Sequence, residues 1–147
     1  MYRDILVPTD GSKLSERAVE TGAKLAKNFG AKLHILHVRP PLDRTPFQEG
    51  AATIYVPKDQ VRKQIAEDEW KLLAAAGEVA TACGVSAETE YVLSAAPHEA
   101  IIRVAKERKC DLIVMASHGR RGIAGLILGS ETQKVLTHTA TPVLVIR

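Results

Sequence analysis

The chain has 147 residues, 46% of them hydrophobic and 25% charged, and twenty Lys+Arg against seventeen Asp+Glu leave a net charge of +3. This length fits one domain of the ~100–200-residue kind, here expected over residues 1–147, and the apolar content excludes an intrinsically disordered chain. The two charge signs alternate instead of gathering into a basic block, which argues against a dedicated nucleic-acid binder. No apolar run approaches the ~18–20 residues a membrane span needs. Met1-Tyr2-Arg3-Asp4 shows neither a signal core nor a cleavage site, so a cytoplasmic location is expected.

The first apolar run, Ile5-Leu6-Val7, is short, β-branched and closed by Pro8, as in a buried parallel strand. Leu14, Ala18, Leu25 and Phe29 then recur at helical spacing, and Gly30 sits where a helix ends on a left-handed residue. A second strand runs from Leu33 to Val38 and completes a βαβ unit. Between Arg39 and Lys58, Pro40, Pro41, Pro46, Gly50 and Pro57 break the pattern, predicting a long loop that is either a lid or disordered. Val61, Ile65, Leu72, Leu73, Ala76, Val79 and Cys83 mark a long helix stopped by Gly84, with Trp70 off its stripe. From Val85 to Leu93 the sequence alternates, with Ala87, Thr89, Tyr91 and Leu93 on one side and Ser86, Glu88 and Glu90 on a wet one. That pattern predicts an edge strand.

Pro97 opens a helix carrying Ile101, Ile102 and Ala105. Asp111-Leu112-Ile113-Val114-Met115 is the most strand-like buried run of the chain. A last helix starts at Ser130, with Gln133 placed to complete a capping box, and Pro142 leads into Val143-Leu144-Val145-Ile146. Strands and helices therefore alternate, β-α-β-α-β-α-β-α-β. The expected fold is an α/β, Rossmann-like, doubly wound domain with a five-stranded parallel sheet in order 3-2-1-4-5, helices on both faces and ligands at the carboxyl ends of the strands. An apolar C-terminal strand at the sheet edge invites pairing with a second copy, so a homodimer through Val143–Ile146 is expected.

The strongest chemical signal is Met115-Ala116-Ser117-His118-Gly119, nine further residues, and then Gly129-Ser130. Its first part follows a strand and its second opens a helix. Phosphate binding needs that construction: glycine admits the backbone closely, and unpaired amides at a helix start, aided by the helix dipole, point at the anion. Gly119, Gly122, Gly125 and Gly129 are equally compatible with turns alone, and Ser130 with a simple N-cap.

On these residues the chain resembles the universal stress proteins. The resemblance spans Ile5 to Ser12 (Ile-Leu-Val-Pro-Thr-Asp-Gly-Ser), Leu36 to Val38 (Leu-His-Val), Asp111 to Met115, the glycine loop, and Thr141 to Ile146. Nucleotide-binding members carry G-x-x-G-x9-G-S/T, which falls on Ala116, Gly119, Gly129 and Ser130, with alanine replacing the first glycine. The resemblance implies an adenine nucleotide, ATP or AMP, any Mg²⁺ arriving with it. It implies Asp10 beside the adenosine, the Val38 backbone beside the adenine, and Gly119, Gly129 and Ser130 on phosphate. Pro8, Thr9, Met115, Ala116, His118, Glu131 and Thr132 would line the pocket. Asp10 has an alternative role as the cap of the first helix.

His118 and the arginines Arg120 and Arg121 can meet phosphate or stay solvated. His34, His37, His98 and His138 show no metal-ligand spacing. Cys83 and Cys110, the only cysteines, are expected to be buried free thiols without a zinc site. No nucleophile with an adjacent base, paired carboxylates or Walker A lysine is visible. The expected protein is thus a dimeric, nucleotide-dependent binding module of the stress response, at most a slow ATPase. The alternative is a family member that has lost nucleotide through Ala116 and acts by protein–protein interaction. Adenylating enzymes and receiver domains lack their required residues here.

Overall fold

Strand β1 (Asp4–Pro8) sets the architecture because both its faces are covered: Ile5, Leu6 and Val7 are each 0% exposed. Side chains alternate along a strand, so Ile5 and Val7 enter one core and Leu6 the other. The structure, a computed structural model, describes residues 1–41, 58–120 and 128–147. Most of the predicted Arg39–Lys58 loop, and Arg121, Gly122 and Gly125, lie outside the described residues.

After β1 come α1 (Lys13–Phe29), β2 (Lys32–Arg39), α2 (Lys58–Ala82), β3 (Ala87–Leu93), α3 (Pro97–Glu107), β4 (Leu112–Ala116), α4 (Ser130–His138) and β5 (Val143–Ile146). The five strands are all parallel in the order β3-β2-β1-β4-β5. Helices α1 and α2 cover the face bearing Val7, Leu33, Ile35 and Val114, and α3 and α4 cover the face bearing Leu6, Leu36, Ile113 and Met115. This is the doubly wound fold expected from the alternation of elements. No helix among the described residues is long and apolar enough to cross a membrane.

Three local expectations need correction. The buried stripe of α1 is Ser15, Ala18, Val19, Gly22, Ala23 and Ala26, while Leu14 and Leu25 are only half-buried and Phe29 is 39% exposed. Small residues let the helix approach the sheet so closely that a Cβ on Gly22 would sit 2.5 Å from Val7 Cγ2. Strand β3 is at the edge as predicted, yet Tyr91 and Leu93 on its supposedly covered side are 39% and 50% exposed. Alternation assigns them a side, but a sheet edge need not be covered along its whole length. Cys110 is buried as expected, its thiol pushed up to about 12 by burial and then by the nearby Asp4 and Asp111 charges, whereas Cys83 is only half-buried.

Candidate functional site

Strand order reverses between β1 and β4, so their following loops leave in opposite directions and open a crevice at the carboxyl ends of the two strands. From β1, the Thr9 amide donates to the Leu36 carbonyl at 2.8 Å and prolongs the ladder by one step. The Thr9 hydroxyl, buried, meets the Ser15 hydroxyl at 3.0 Å and accepts from the Gly11 amide at 3.2 Å. Gly11 turns the chain at φ +76°, a left-handed conformation that favours glycine.

Ser12 caps α1, its hydroxyl accepting from the Ser15 amide at 3.2 Å. The capping role considered for Asp10 therefore belongs to Ser12, two residues later. Asp10 is left to bridge the loops: Oδ1 accepts from the Ser12 amide at 2.9 Å and Oδ2 from the Arg120 amide at 2.8 Å. Burial alone raises its pKa, but hydrogen bonds from Ser12, Arg120 and Ser15 outweigh that and hold the carboxyl below its ordinary value. Asp10 is thus an anion fastened across the mouth of the crevice.

The β4 side supplies Ser117 to Arg120. Gly119 lies so near Asp10 that a Cβ there would be 2.6 Å from Asp10 Oδ2, so close approach, and not a positive φ, requires the glycine. The Gly129 amide donates to the Ser117 carbonyl at 2.6 Å, which pinches the two ends of the glycine loop together. A side chain at Gly129 would press on the His118 Cα and the Ser117 carbonyl, both 3.1 Å away. The N-cap of α4 is Gly129, without a side-chain cap bond, and the Gln133 amide bonds to the Gly129 carbonyl. The predicted Ser130–Gln133 capping box therefore does not form: the cap lies one residue earlier, at a glycine that has no side chain to accept the bond. Ser130 is the first helical residue, exposed, and helix geometry leaves the Ser130, Glu131 and Thr132 amides without intrahelical acceptors.

Other predicted pocket residues are committed elsewhere through their side chains. Thr132, buried, donates its hydroxyl to the Ala116 carbonyl at 2.9 Å and seats α4 on the end of β4. Glu131 Oε2 accepts from the His98 amide at 2.9 Å and meets His98 Nδ1 at 3.1 Å, so its carboxylate sits at the start of α3. Burial raises the Glu131 pKa, but bonds from Lys134 and His98 bring it below the ordinary value. Met115 is buried in the α3–α4 core, and the half-buried His118 bonds Ser117 Oγ through Nδ1 at 3.1 Å.

Beyond β1 the neighbouring strand continues alone. Pairing of β1 with β2 ends at Pro8 and Leu36, yet β2 runs on to Arg39. The Leu36 carbonyl faces β1, where it accepts from Thr9, and the Arg39 carbonyl faces the β3 side, where it accepts from Ser94 at 2.9 Å. Backbone groups alternate direction along a strand, so the Val38 N–H and C=O point to the β1 side, past the last β1 residue. One donor and one acceptor thus stand side by side above the crevice.

The structure therefore brings together Pro8, Thr9, Asp10, Ala116, His118 and Gly119 at the switch point, with Gly129 and Ser130 at the pinched end of the loop and the Val38 backbone along one wall. Sequence inspection missed Ser12, Ser15 and Ser117 as the groups that hold these loops. Ser12 had a signal, since a serine three residues before an amide it can accept from opens a helix; Ser117 had none. Among the described residues no group of three His, Cys, Asp or Glu side chains could hold a metal ion.

The model of the universal stress protein family matches residues 1–147. Universal stress protein YxiE of Bacillus subtilis is 38% identical, with all of both chains covered, and a Thermus aquaticus universal stress protein is 33% identical over the same full extent. Among solved structures, MJ0577 of Methanocaldococcus jannaschii superposes with a TM-score of 0.80 at 25% identity, covering 99% of this chain and 96% of that one. A universal stress protein in complex with cAMP superposes with a TM-score of 0.76 at 29% identity, covering 99% and 97%. The chain belongs to the universal stress protein family.

Proposed function

We propose that the chain binds an adenine nucleotide, ATP in particular, across the carboxyl ends of β1 and β4, and that it works as a nucleotide-dependent binding module. The observation that carries this is the pair of backbone sites, without partners among the described residues, that flank one crevice. At one end the α4 amides and the Ser130 hydroxyl form an anion site of the helix-start kind, strengthened by the dipole. At the other, the Val38 N–H and C=O match the adjacent ring-nitrogen acceptor and amino donor of adenine. Guanine presents its acceptor and donor in the opposite order along that edge, so ATP is preferred over GTP. The solved relative in complex with cAMP supports an adenine nucleotide within the family.

In this reading Asp10 and Thr9 form the floor beneath the ribose, Pro8, Met115 and Ala116 back it, and Gly119, Gly129 and Ser130 contact phosphate. His118 borders the same loop, and Glu131 and Thr132 contribute backbone amides. Strand alternation puts the Ala116 methyl on the same side of β4 as Leu112 and Val114, toward α1. Its carbonyl is occupied by Thr132. Mg²⁺ enters with the triphosphate.

Thermal unfolding with millimolar ATP, AMP or GTP plus Mg²⁺ tests the proposal. A ligand at 100-fold its Kd adds about 2.7 kcal/mol. ATP is expected to raise the midpoint of the parent and not of Gly119→Val, whose Cβ displaces the Asp10 carboxylate. Absence of any adenine-dependent shift in the parent would leave the interaction-only alternative in its place.

A further inference from the structure

Glu69 is a buried charge that the nucleotide site as described does not use. It lies on the α2 stripe between Ile65 and Leu73, and it is 2% exposed. Helical periodicity calls for an apolar residue there, and replacing a buried ionic group by a well-packed apolar one is often neutral or stabilising. A carboxylate at that depth must be paired. Both partners come from the end of β2: His37 Nδ1 lies 2.5 Å from Glu69 Oε2, and Arg39 Nη1 donates to Oε1 at 3.1 Å. Asp68 Oδ2 adds a longer contact to Arg39 at 3.8 Å.

His37 and Arg39 are the residues on either side of Val38. Alternation turns their side chains to the α2 face, while the Val38 side chain packs against the α3–α4 core. The same three residues form the stretch of β2 that outruns β1, so on that side no strand among the described residues holds them. The strand is held from β3 by its ladder and from α2 by one carboxylate gripping both flanks of Val38.

We infer that Glu69 is a positioning residue for base recognition: through His37 and Arg39 it fixes the height and direction of the Val38 N–H and C=O. The inference rests on the nucleotide site proposed above. Glu69 touches no ligand, and its effect is confined to the base end of the crevice, remote from the α4 amides.

Isothermal titration of ATP and of inorganic tripolyphosphate, each with Mg²⁺, against the parent and Glu69→Gln tests it. Glutamine keeps the shape and loses the charge that fastens both partners. The expected result is an ATP affinity reduced roughly tenfold, the scale of one hydrogen bond, with tripolyphosphate affinity unchanged. Faster exchange of the Ser94 amide, bonded to the Arg39 carbonyl, is expected in the same variant without ligand. If Glu69→Gln fails to fold by circular dichroism, Arg39→Gln, at a half-exposed side chain, is read in the same way. Equal loss for both ligands, or no loss for either, overturns the positioning role and leaves the nucleotide site standing. Parent protein that takes up neither ligand overturns the nucleotide site and this role with it.

Discussion

Asp10 joins the turn after β1 to the loop after β4 with one oxygen each, and the charge on that bridge makes it sensitive to acid. Its folded pKa lies below the ordinary 3.8: burial opposes ionisation, but bonds from Ser12, Arg120 and Ser15 favour it more. In the unfolded chain the carboxyl takes up its proton at a higher pH than in the folded one. Its stabilisation is therefore fully present above the ordinary value and is lost as pH falls through the lowered one. Asp10→Asn should cost about 1 kcal/mol near neutral pH, the half-buried bridge being partly screened by water. Urea unfolding at about pH 7 and about pH 2 should show the full difference at the first and a smaller one at the second. A constant difference at both would mean that packing, not charge, holds the loops.

At the scale of elements, one buried bond fastens α4 to the end of β4, beside the core packing of Val135 and the Glu131–His98 contacts with α3. Thr132 donates to the Ala116 carbonyl, whose strand direction faces β1 beyond the last paired step. Thr132→Val keeps the shape and leaves that carbonyl without its donor, at a cost of about 1–3 kcal/mol. Denaturant midpoints measure the loss, and the ATP-induced shift should shrink with it because the amides of α4 lose their register with the crevice. The order of elements was legible because β1 and β4 are continuous apolar runs, β2 is one interrupted only by His34 and His37, and α1 and α3 are amphipathic. The buried face of α1 was less so: apart from Val19 its stripe is built from alanine, glycine and serine, which carry little hydrophobic signal, and the need for Gly22 appears only once Val7 is placed beneath it. The glycine loop could be found from its spacing, whereas the one-residue displacement of the α4 cap depends on a 2.6 Å bond between Gly129 and Ser117 that no local pattern announces. The pairing of Glu69 has no local signal, because its partners lie about thirty residues away along the chain.

For the whole molecule, the two sheet edges differ in how open they are to pairing with a second copy. The β3 edge is blunted by charge: Glu88 and Glu90 are drawn to Arg108, with the Glu90 contact at 3.0 Å. The β5 edge carries only Val143, Leu144, Val145 and Ile146, and Leu144 is 39% exposed. An apolar edge without such protection is the one expected to pair, antiparallel across a two-fold axis, with its own copy. Hydrogen-bond direction identifies the residue that tests this. The Pro142 and Ile146 carbonyls accept from Ile113 and Ser117 of the β4 side, so even-numbered positions face β4 and the Val143 and Val145 amides face outward. Val145→Pro removes an outward donor while sparing the ladder to β4, the position at which an edge strand tolerates proline. Light scattering behind size exclusion should give a dimer for the parent and a monomer for Val145→Pro with unchanged circular dichroism. If both run as dimers, the copies meet through another surface, and the exposed Tyr91 and Leu93 of β3 become the next positions to substitute.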